Sequence, residues 1–230
     1  LHLLSRRQRQ MCIRDRQDIV NERVVSFINS FDKGNSPICN IIEKEAREQG
    51  VPIIRKEMES FLRTMLRLTG AKDILEIGAA VGYSSIFMSR NMADGAHITT
   101  IENYPPRIEK ALQNIERAGA TDKITLLKGD AGEILKSLEG QYDFIFMDAA
   151  KAQYIVILPE ILRLLKPGAV LITDNVLQEG EIIEPRFGVT RRNRTIYERM
   201  REYLYAVTHC DELETTIVPI GDGITLSVRK

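Results

Sequence analysis

The chain has 230 residues, 43% hydrophobic and 28% charged, with 32 basic and 32 acidic side chains that cancel to a formal net charge of zero. This is the composition of a soluble globular protein large enough for one α/β domain with a full core. No apolar run approaches the roughly 18–20 residues that a bilayer span needs, which excludes a transmembrane helix. Three scattered cysteines, Cys12, Cys39 and Cys210, make neither a disulfide framework nor a paired metal knuckle, so the reducing cytoplasm is the expected compartment.

Residues 1–16 stand apart. Arg6-Arg-Gln-Arg-Gln-Met-Cys-Ile-Arg-Asp-Arg16 is dense in arginine, without helical or strand periodicity, and it lacks the apolar core, about 7–15 residues long, of a signal peptide. One reading is a basic arm for nucleic acid. The preferred one is a non-native leader. Met11 to Asp15, written as ATG-TGT-ATA-AGA-GAC, reproduces the end of a transposase adapter used for sequencing libraries, and the preceding Arg-Arg-Gln-Arg-Gln continues it in frame. The expectation is therefore a leader, 1–16, joined to a single domain, 17–230. Without the leader the totals fall to 27 basic and 31 acidic, a net charge of −4, so nucleic-acid binding has to come from a local patch.

From 18 to 68 the pattern is helical. Val20, Val24, Val25, Phe27, Ile28 and Phe31 recur at three- and four-residue steps, as on an amphipathic helix, and Asp32-Lys-Gly-Asn-Ser-Pro37 breaks it. A second helix runs through Ile41 and Ile42 to Arg47. Phe61, Leu62, Met65, Leu66 and Leu68 mark a third, which Gly70 closes. The period then changes. Strands are expected over 73–77, 97–101, 123–127, 142–147 and 169–173, alternating with helices over 84–92, 106–118, 133–138 and 154–165. Such βαβ alternation builds a mainly parallel sheet with helices on both faces. After a helix over 192–205, strands over 214–219 and 224–228 meet around Gly221-Asp-Gly223, which predicts a hairpin and an antiparallel edge.

Several strands end in ionisable groups, at the ligand-binding edge of an open α/β sheet. Phe144-Ile-Phe-Met-Asp148 and Val170-Leu-Ile-Thr-Asp174-Asn175 bring Asp148, Asp174 and Asn175 there. All three offer hard oxygen donors, a set that suits Mg²⁺. Lys151 follows the first acid by three residues, either as a base for a hydroxyl group or as a helix-start lysine paired with Asp148. Leu75-Glu-Ile-Gly-Ala-Ala-Val-Gly-Tyr-Ser84 is a strand, a glycine turn and a helix start, where Gly78 and Gly82 let the backbone approach a ligand closely. Its G-x-x-x-G spacing differs from the G-x-G-x-x-G of dinucleotide binders, and a plain βα turn is the alternative. Glu102 ends the second strand, where a carboxylate can accept hydrogen bonds from both ribose hydroxyls. Gly129-Asp130-Ala131 ends the third, beside the adenine position, with an exposed turn aspartate as the alternative. Together these strand ends describe a nucleoside site.

From about Val51 to Lys230 the chain resembles the metal-dependent O-methyltransferases that include catechol and caffeoyl-CoA methyltransferases. Leu75-Glu-Ile-Gly78, Gly82-Tyr-Ser84, Glu102, Gly129-Asp-Ala131, Asp148-Ala-Ala-Lys151 and Thr173-Asp-Asn-Val176 carry the resemblance by their order and spacing. It implies a Rossmann-like α/β fold: a seven-stranded, mostly parallel sheet with an antiparallel C-terminal hairpin, plus N-terminal helices. It also implies S-adenosylmethionine, with Glu76, Gly78, Gly82 and Tyr83 in its turn and Ile54 and Ser84 near its methionine part. Glu102 would hold the ribose, Asp130 and Ala131 the adenine, and Asp148 would contact both cofactor and metal. Mg²⁺, or another divalent cation, would sit on Asp148, Asp174 and Asn175, with Asp148 and Lys151 catalytic. A homodimer is implied too.

The segment after the metal acids holds Arg186, Arg191, Arg192, Arg194, Arg199 and Arg201 against Glu184 and Glu198. Such clusters bind phosphate backbones; a solvated helix face with Glu–Arg pairs is the alternative. With Val51-Pro-Ile-Ile54 and Pro219-Ile-Gly-Asp-Gly223, this segment is similar to bacterial tRNA 5-hydroxyuridine methyltransferases. That implies the wobble 5-hydroxyl in a tRNA anticodon loop as acceptor, giving 5-methoxyuridine. An unpaired base there can be splayed into a pocket without melting a helix. The competing acceptor is a small molecule, a catechol or a hydroxycinnamoyl thioester, which needs an aromatic pocket. The chain has no Trp and 6% aromatic residues. His209 and Cys210 read as packing or capping groups.

Overall fold

The computed structural model describes residues 19–230, and the expected leader lies outside them. Three helices come first, α1 (Glu22–Asn29), α2 (Pro37–Glu48) and α3 (Lys56–Thr69). Strands and helices then alternate: β1 (Asp73–Ile77), α4 (Tyr83–Ser89), β2 (His97–Glu102), α5 (Pro105–Arg117), β3 (Ile124–Lys128), α6 (Ala131–Ser137), β4 (Tyr142–Met147), α7 (Tyr154–Leu164) and β5 (Leu165–Thr173). Then follow α8 (Arg194–Thr208), β6 (Leu213–Val218) and β7 (Ile224–Arg229). Every expected element is present, and caps decide the boundaries. Ser36 accepts from the Cys39 amide, so Pro37, expected in the break, takes a first-turn position where its missing N–H costs nothing. Gly70, at φ 60, closes α3.

The sheet order is β3-β2-β1-β4-β5-β7-β6. β1 through β5 pair in parallel, whereas β7 pairs antiparallel with both β5 and β6. The predicted hairpin is there, but its second strand is not an edge: β7 is wedged inside, and β6 is the edge. β1 lies between β2 and β4, so connections leave it in opposite directions and a crevice opens over its carboxyl end.

Strand residues alternate between two cores. Ile74, Phe144, Phe146, Val170 and Ile172 pack with Ile42, Leu62 and Phe87 from α2, α3 and α4. Leu75, Ile77, Ile145, Met147 and Leu171 pack with Leu135, Ile161 and Tyr203 from α6, α7 and α8. Burial on both faces is why the central strands are apolar throughout. α1 buries none of its residues: Phe27 meets Phe31, just beyond the helix, edge to face at 5.1 Å, yet they are 65% and 70% exposed. No helix among the described residues is long and apolar enough to cross a membrane.

The N-terminal helices reach the sheet through a buried carboxylate. Glu59 accepts from Tyr83 Oη at 2.6 Å, Asn35 Nδ2 at 2.7 Å and Lys56 Nζ at 3.2 Å. A charge this deep is tolerable because a cation and two further donors satisfy it.

At the crevice β1 and β4 meet backbone to backbone. Asp148 N donates to Ile77 O at 2.9 Å, and Gly78 adopts φ +106 with the Asp148 carbonyl where a Cβ would stand. Gly78→Ala is expected to cost about 3 kcal/mol or more, since backbone overlap adds to dihedral strain. Gly140→Ala, at φ +95 with nothing near its Cβ position, should cost only about 1 kcal/mol of strain. Urea unfolding of both variants tests the difference; equal losses would refute the overlap.

Candidate active site

Glycine turn and ribose-type acid are joined by the backbone. Gly78 N and Ala79 N both donate to Ile101 O at 3.0 Å, fixing the turn after β1 against the end of β2. Ala80, at φ 46, donates its N–H to Glu102 Oε2 at 2.8 Å, and Asn103 N and Tyr104 N donate to Oε1, each at 3.0 Å. Three amides thus hold a nearly buried carboxylate in one orientation at the floor of the cleft, with acceptor capacity left for a ligand's hydroxyls.

Asp148 and Asp174, at the exits of β4 and β5, are tied by Asn175. Its Nδ2 donates to Asp148 Oδ1 at 3.1 Å and its backbone N to Asp174 Oδ1 at 2.7 Å. Tyr154 Oη donates to the Asp174 carbonyl at 3.1 Å, pinning the strand end from below. Burial pushes the Asp148 carboxyl up to about 6, against the lowering pull of Asn175 and Lys151. Burial, with the charge of Asp148 added, pushes Asp174 up to about 7. Lys151 and Arg55 offset these desolvated, mutually repelling carboxylates only in part, a condition that a bound divalent cation relieves. Among the described residues no three His, Cys, Asp or Glu side chains converge on a metal position, so a cation here depends on the amide oxygen of Asn175 as third ligand.

Lys151 lies on a 3₁₀ turn, Lys151–Gln153, and its Nζ donates to Asp222 Oδ2 at 3.3 Å. Its partner is therefore Asp222, not Asp148. Asp222 comes from the β6–β7 turn, is 5% exposed and also accepts from the Glu179 amide.

One cleft of about 540 Å³ is lined by Ile54, Gly78, Glu102, Ala131, Asp148, Lys151, Asp174 and Asn175, with Arg55, Gly129, Glu179 and Asp222 beside them. Five of the residues expected at the cofactor do not line it. Glu76 is fully buried behind the turn, where Thr100 Oγ1 donates to it at 2.5 Å and Ser85 also bonds it; burial raises its carboxyl. Tyr83 points to Glu59. Gly82 is the left-handed N-cap of α4, and Ser84 is buried beside Glu76. Asp130 turns away too: it caps α6 through Glu133 N at 3.3 Å and accepts from Gln153 Nε2 at 3.4 Å.

Four of the six arginines have local partners. Arg186 pairs with Glu198, Arg194 donates to Val189 O, Arg199 to Ala152 O, and Arg201 to Ile182 O. Arg191 and Arg192 have none among the described residues. His209 accepts the capping role: its Nδ1 lies 2.9 Å from Tyr205 O at the end of α8. Sequence reasoning gave no role to Asp222, Arg55 or Glu179. A charged residue between two glycines was the only local signal for Asp222, and it reads as an ordinary turn.

A profile of the O-methyltransferase family matches residues 38–230. A catechol O-methyltransferase of Niastella koreensis is 36% identical over 143 residues, covering 60% of this chain and 65% of that protein. Caffeoyl-CoA O-methyltransferase 1 of Eucalyptus globulus is 33% identical over 175 residues, 74% of this chain and 71% of its own length. Among solved structures, an O-methyltransferase from Bacillus cereus in complex with SAH has a TM-score of 0.79 at 26% identity, covering 90% of this chain and 97% of that one. The O-methyltransferase TomG from Streptomyces achromogenes, in complex with SAM, has a TM-score of 0.79 at 25% identity, covering 90% and 96%. Strand order, strand-end residues and a family match over almost the whole described chain agree: the protein belongs to the O-methyltransferase family.

Proposed function

We propose that the protein transfers the methyl group of S-adenosylmethionine to a hydroxyl group with the help of a divalent cation, and that the acceptor is wobble 5-hydroxyuridine in tRNA. The observation that carries the reaction is the meeting of Gly78, Glu102 and Ala131 with Asp148, Asp174, Asn175 and Lys151 in one cleft. Glu102 would take the ribose hydroxyls, and the backbone at Gly78 and Ala131 would face the rest of the nucleoside. Asp148, Asp174 and Asn175 would hold Mg²⁺, which supplies Lewis acidity toward the acceptor oxygen.

Lys151 takes the hydroxyl proton as the acceptor oxygen bonds to the methyl carbon; the carbon–sulfur bond breaks and its electron pair stays on sulfur. Asp222, 3.3 Å from Nζ, receives a hydrogen bond from the ammonium so formed and keeps the lysine aimed at the cleft.

For the acceptor, the supporting observation is the wall. Two cavities adjoin the cleft, one sharing Arg55, Glu179, Gly221 and Asp222 with it, the other Lys151 and Glu179. Among the described residues no aromatic side chain lines any of the three, while Arg47, Arg55, Lys56, Arg107 and Lys151 do, together with acids such as Glu57, Glu179 and Asp222. Such walls favour a polar acceptor over a phenylpropanoid ring, and Arg191 and Arg192 are available for phosphates. The names of the catechol and caffeoyl-CoA relatives favour the second reading, a small phenolic acceptor.

Offering the enzyme S-adenosylmethionine and Mg²⁺ with either 5-hydroxyuridine-bearing tRNA or catechol separates these readings; methylation of catechol alone would overturn the tRNA acceptor. EDTA should abolish transfer, and Lys151→Ala should lower kcat by about 10²-fold or more; undiminished activity in either experiment refutes the mechanism. The raised carboxyls of Asp148 and Asp174 mean that the metal-free fold binds more protons than the unfolded chain between about pH 4 and 7. Its stability should fall as pH rises through that window, and Mg²⁺ should raise Tm more at pH 8 than at pH 5. A Tm shift no larger at pH 8 than at pH 5 would contradict cation binding at these acids.

A further inference from the structure

Gln178 has no part in the reaction as described, yet it sits three residues beyond Asn175. It is 7% exposed, its Nε2 is buried without a partner, and no hydrogen bond reaches its Oε1 among the described residues. A buried amide left unmet is costly, so its surroundings are informative. It lines a cavity of about 190 Å³ with Lys151, Glu179, Glu181, Asn193 and Ile196. Lys151 and Glu179 also line the main cleft, so this cavity opens beside the proposed base.

The backbone there is strained and pinned. Asn175 stands at φ 60, and Gln178 and Glu179 both at φ 51, a left-handed region that non-glycine residues rarely occupy. Val176 N donates to Gly223 O and Leu177 N to Asp222 O, both at 2.9 Å, and the Glu179 amide bonds the Asp222 carboxylate. Strain maintained by surrounding bonds is typical of functional turns. The side chain that this turn holds beside the cavity ends in a planar group carrying both donor and acceptor atoms.

The complement of a primary amide is a planar edge with a carbonyl and an N–H side by side. A uracil-type ring has that edge next to its 5-position; a catechol has only hydroxyls. We infer that Gln178 is a specificity-determining residue of the acceptor site, its amide pairing with the carbonyl and ring N–H beside the reactive hydroxyl of a uracil-type acceptor. This rests on the proposed transfer at Lys151 and deepens it.

Equilibrium binding of 5-hydroxyuridine and of its N3-methyl derivative to the full chain, with S-adenosylhomocysteine and Mg²⁺, tests the pairing. The wild type should prefer the unmethylated ring by about tenfold or more, the range that a bidentate amide contact confers. In Gln178→Leu, which removes both amide atoms, the preference should fall to within about twofold, whereas Gln178→Glu, which keeps an acceptor for the ring N–H but loses the donor to the carbonyl, should weaken both ligands by about tenfold and keep a preference, with S-adenosylhomocysteine binding retained as the check of folding. A wild-type ratio near one, an unchanged ratio in folded Gln178→Leu, or undiminished binding of both ligands by folded Gln178→Glu overturns the assignment. If the ratios behave as expected but 5-hydroxyuridine in tRNA is not methylated, the pairing stands and the proposed tRNA acceptor fails.

Discussion

The carboxyl ends of β1 and β4 can come together only because Gly78 has no side chain. With a Cβ there, the Asp148 carbonyl would be pushed away, and Asp148 with it. The contact sets the distance between two halves of the cleft: a turn that presents backbone amides and Glu102 on one side, and a pair of acids on the other. Neither half contains the geometry alone. Their relation follows from parallel strands in register, Ile77 beside Met147 and Met147 beside Thr173, which puts three successive exits at one level.

Around that contact the protein concentrates groups that are unfavourable in isolation. Two acids share a desolvated position, Glu59 and Glu76 are buried, and several non-glycine residues adopt positive φ. Each is offset locally. Glu59 has Lys56, Asn35 and Tyr83; Glu76 has a set of hydroxyls; the turn after β5 is fastened to residues 222 and 223. Among the described residues the acid pair is offset only in part, by Asn175, Lys151 and Arg55, and Gln178 Nε2, Glu76 Oε1 and Thr225 Oγ1 are buried without a partner.

Much of this was legible in the sequence because strand ends are. An apolar run terminating in Asp148, Asp174 or Glu102 fixes both the element and the position of its last side chain, and period-two alternation places the rest. Side-chain direction on the far side of a turn is another matter. Glu76, one residue before the end of β1, alternates to the back of the sheet, and Tyr83 enters a helix that aims it at Glu59; a motif string does not show either. Asp130 is drawn into capping, a local bond that competes with any ligand. Arginine density likewise says nothing about how many guanidinium groups are already engaged with carbonyls of their own chain. Gln178 and Asp222 were invisible for a different reason: both owe their setting to residues distant in sequence, Lys151 in the cavity of Gln178 and, 71 residues away, as the partner of Asp222.

The insertion of β7 between β5 and β6 gives the site a temporal dimension. The turn after β5 is bonded to residues that precede β7, and β5 itself has β7 as one of its two neighbours. During synthesis, β1 to β5 can pair as they emerge, but the bonds that fasten the turn after Asn175 have no partner until residues 222 and 223 have left the ribosome. The half of the cleft at Gly78 and Glu102 can thus form before the turn beyond Asn175 is fastened, and a nascent chain stalled short of residue 222 would have the first without the second.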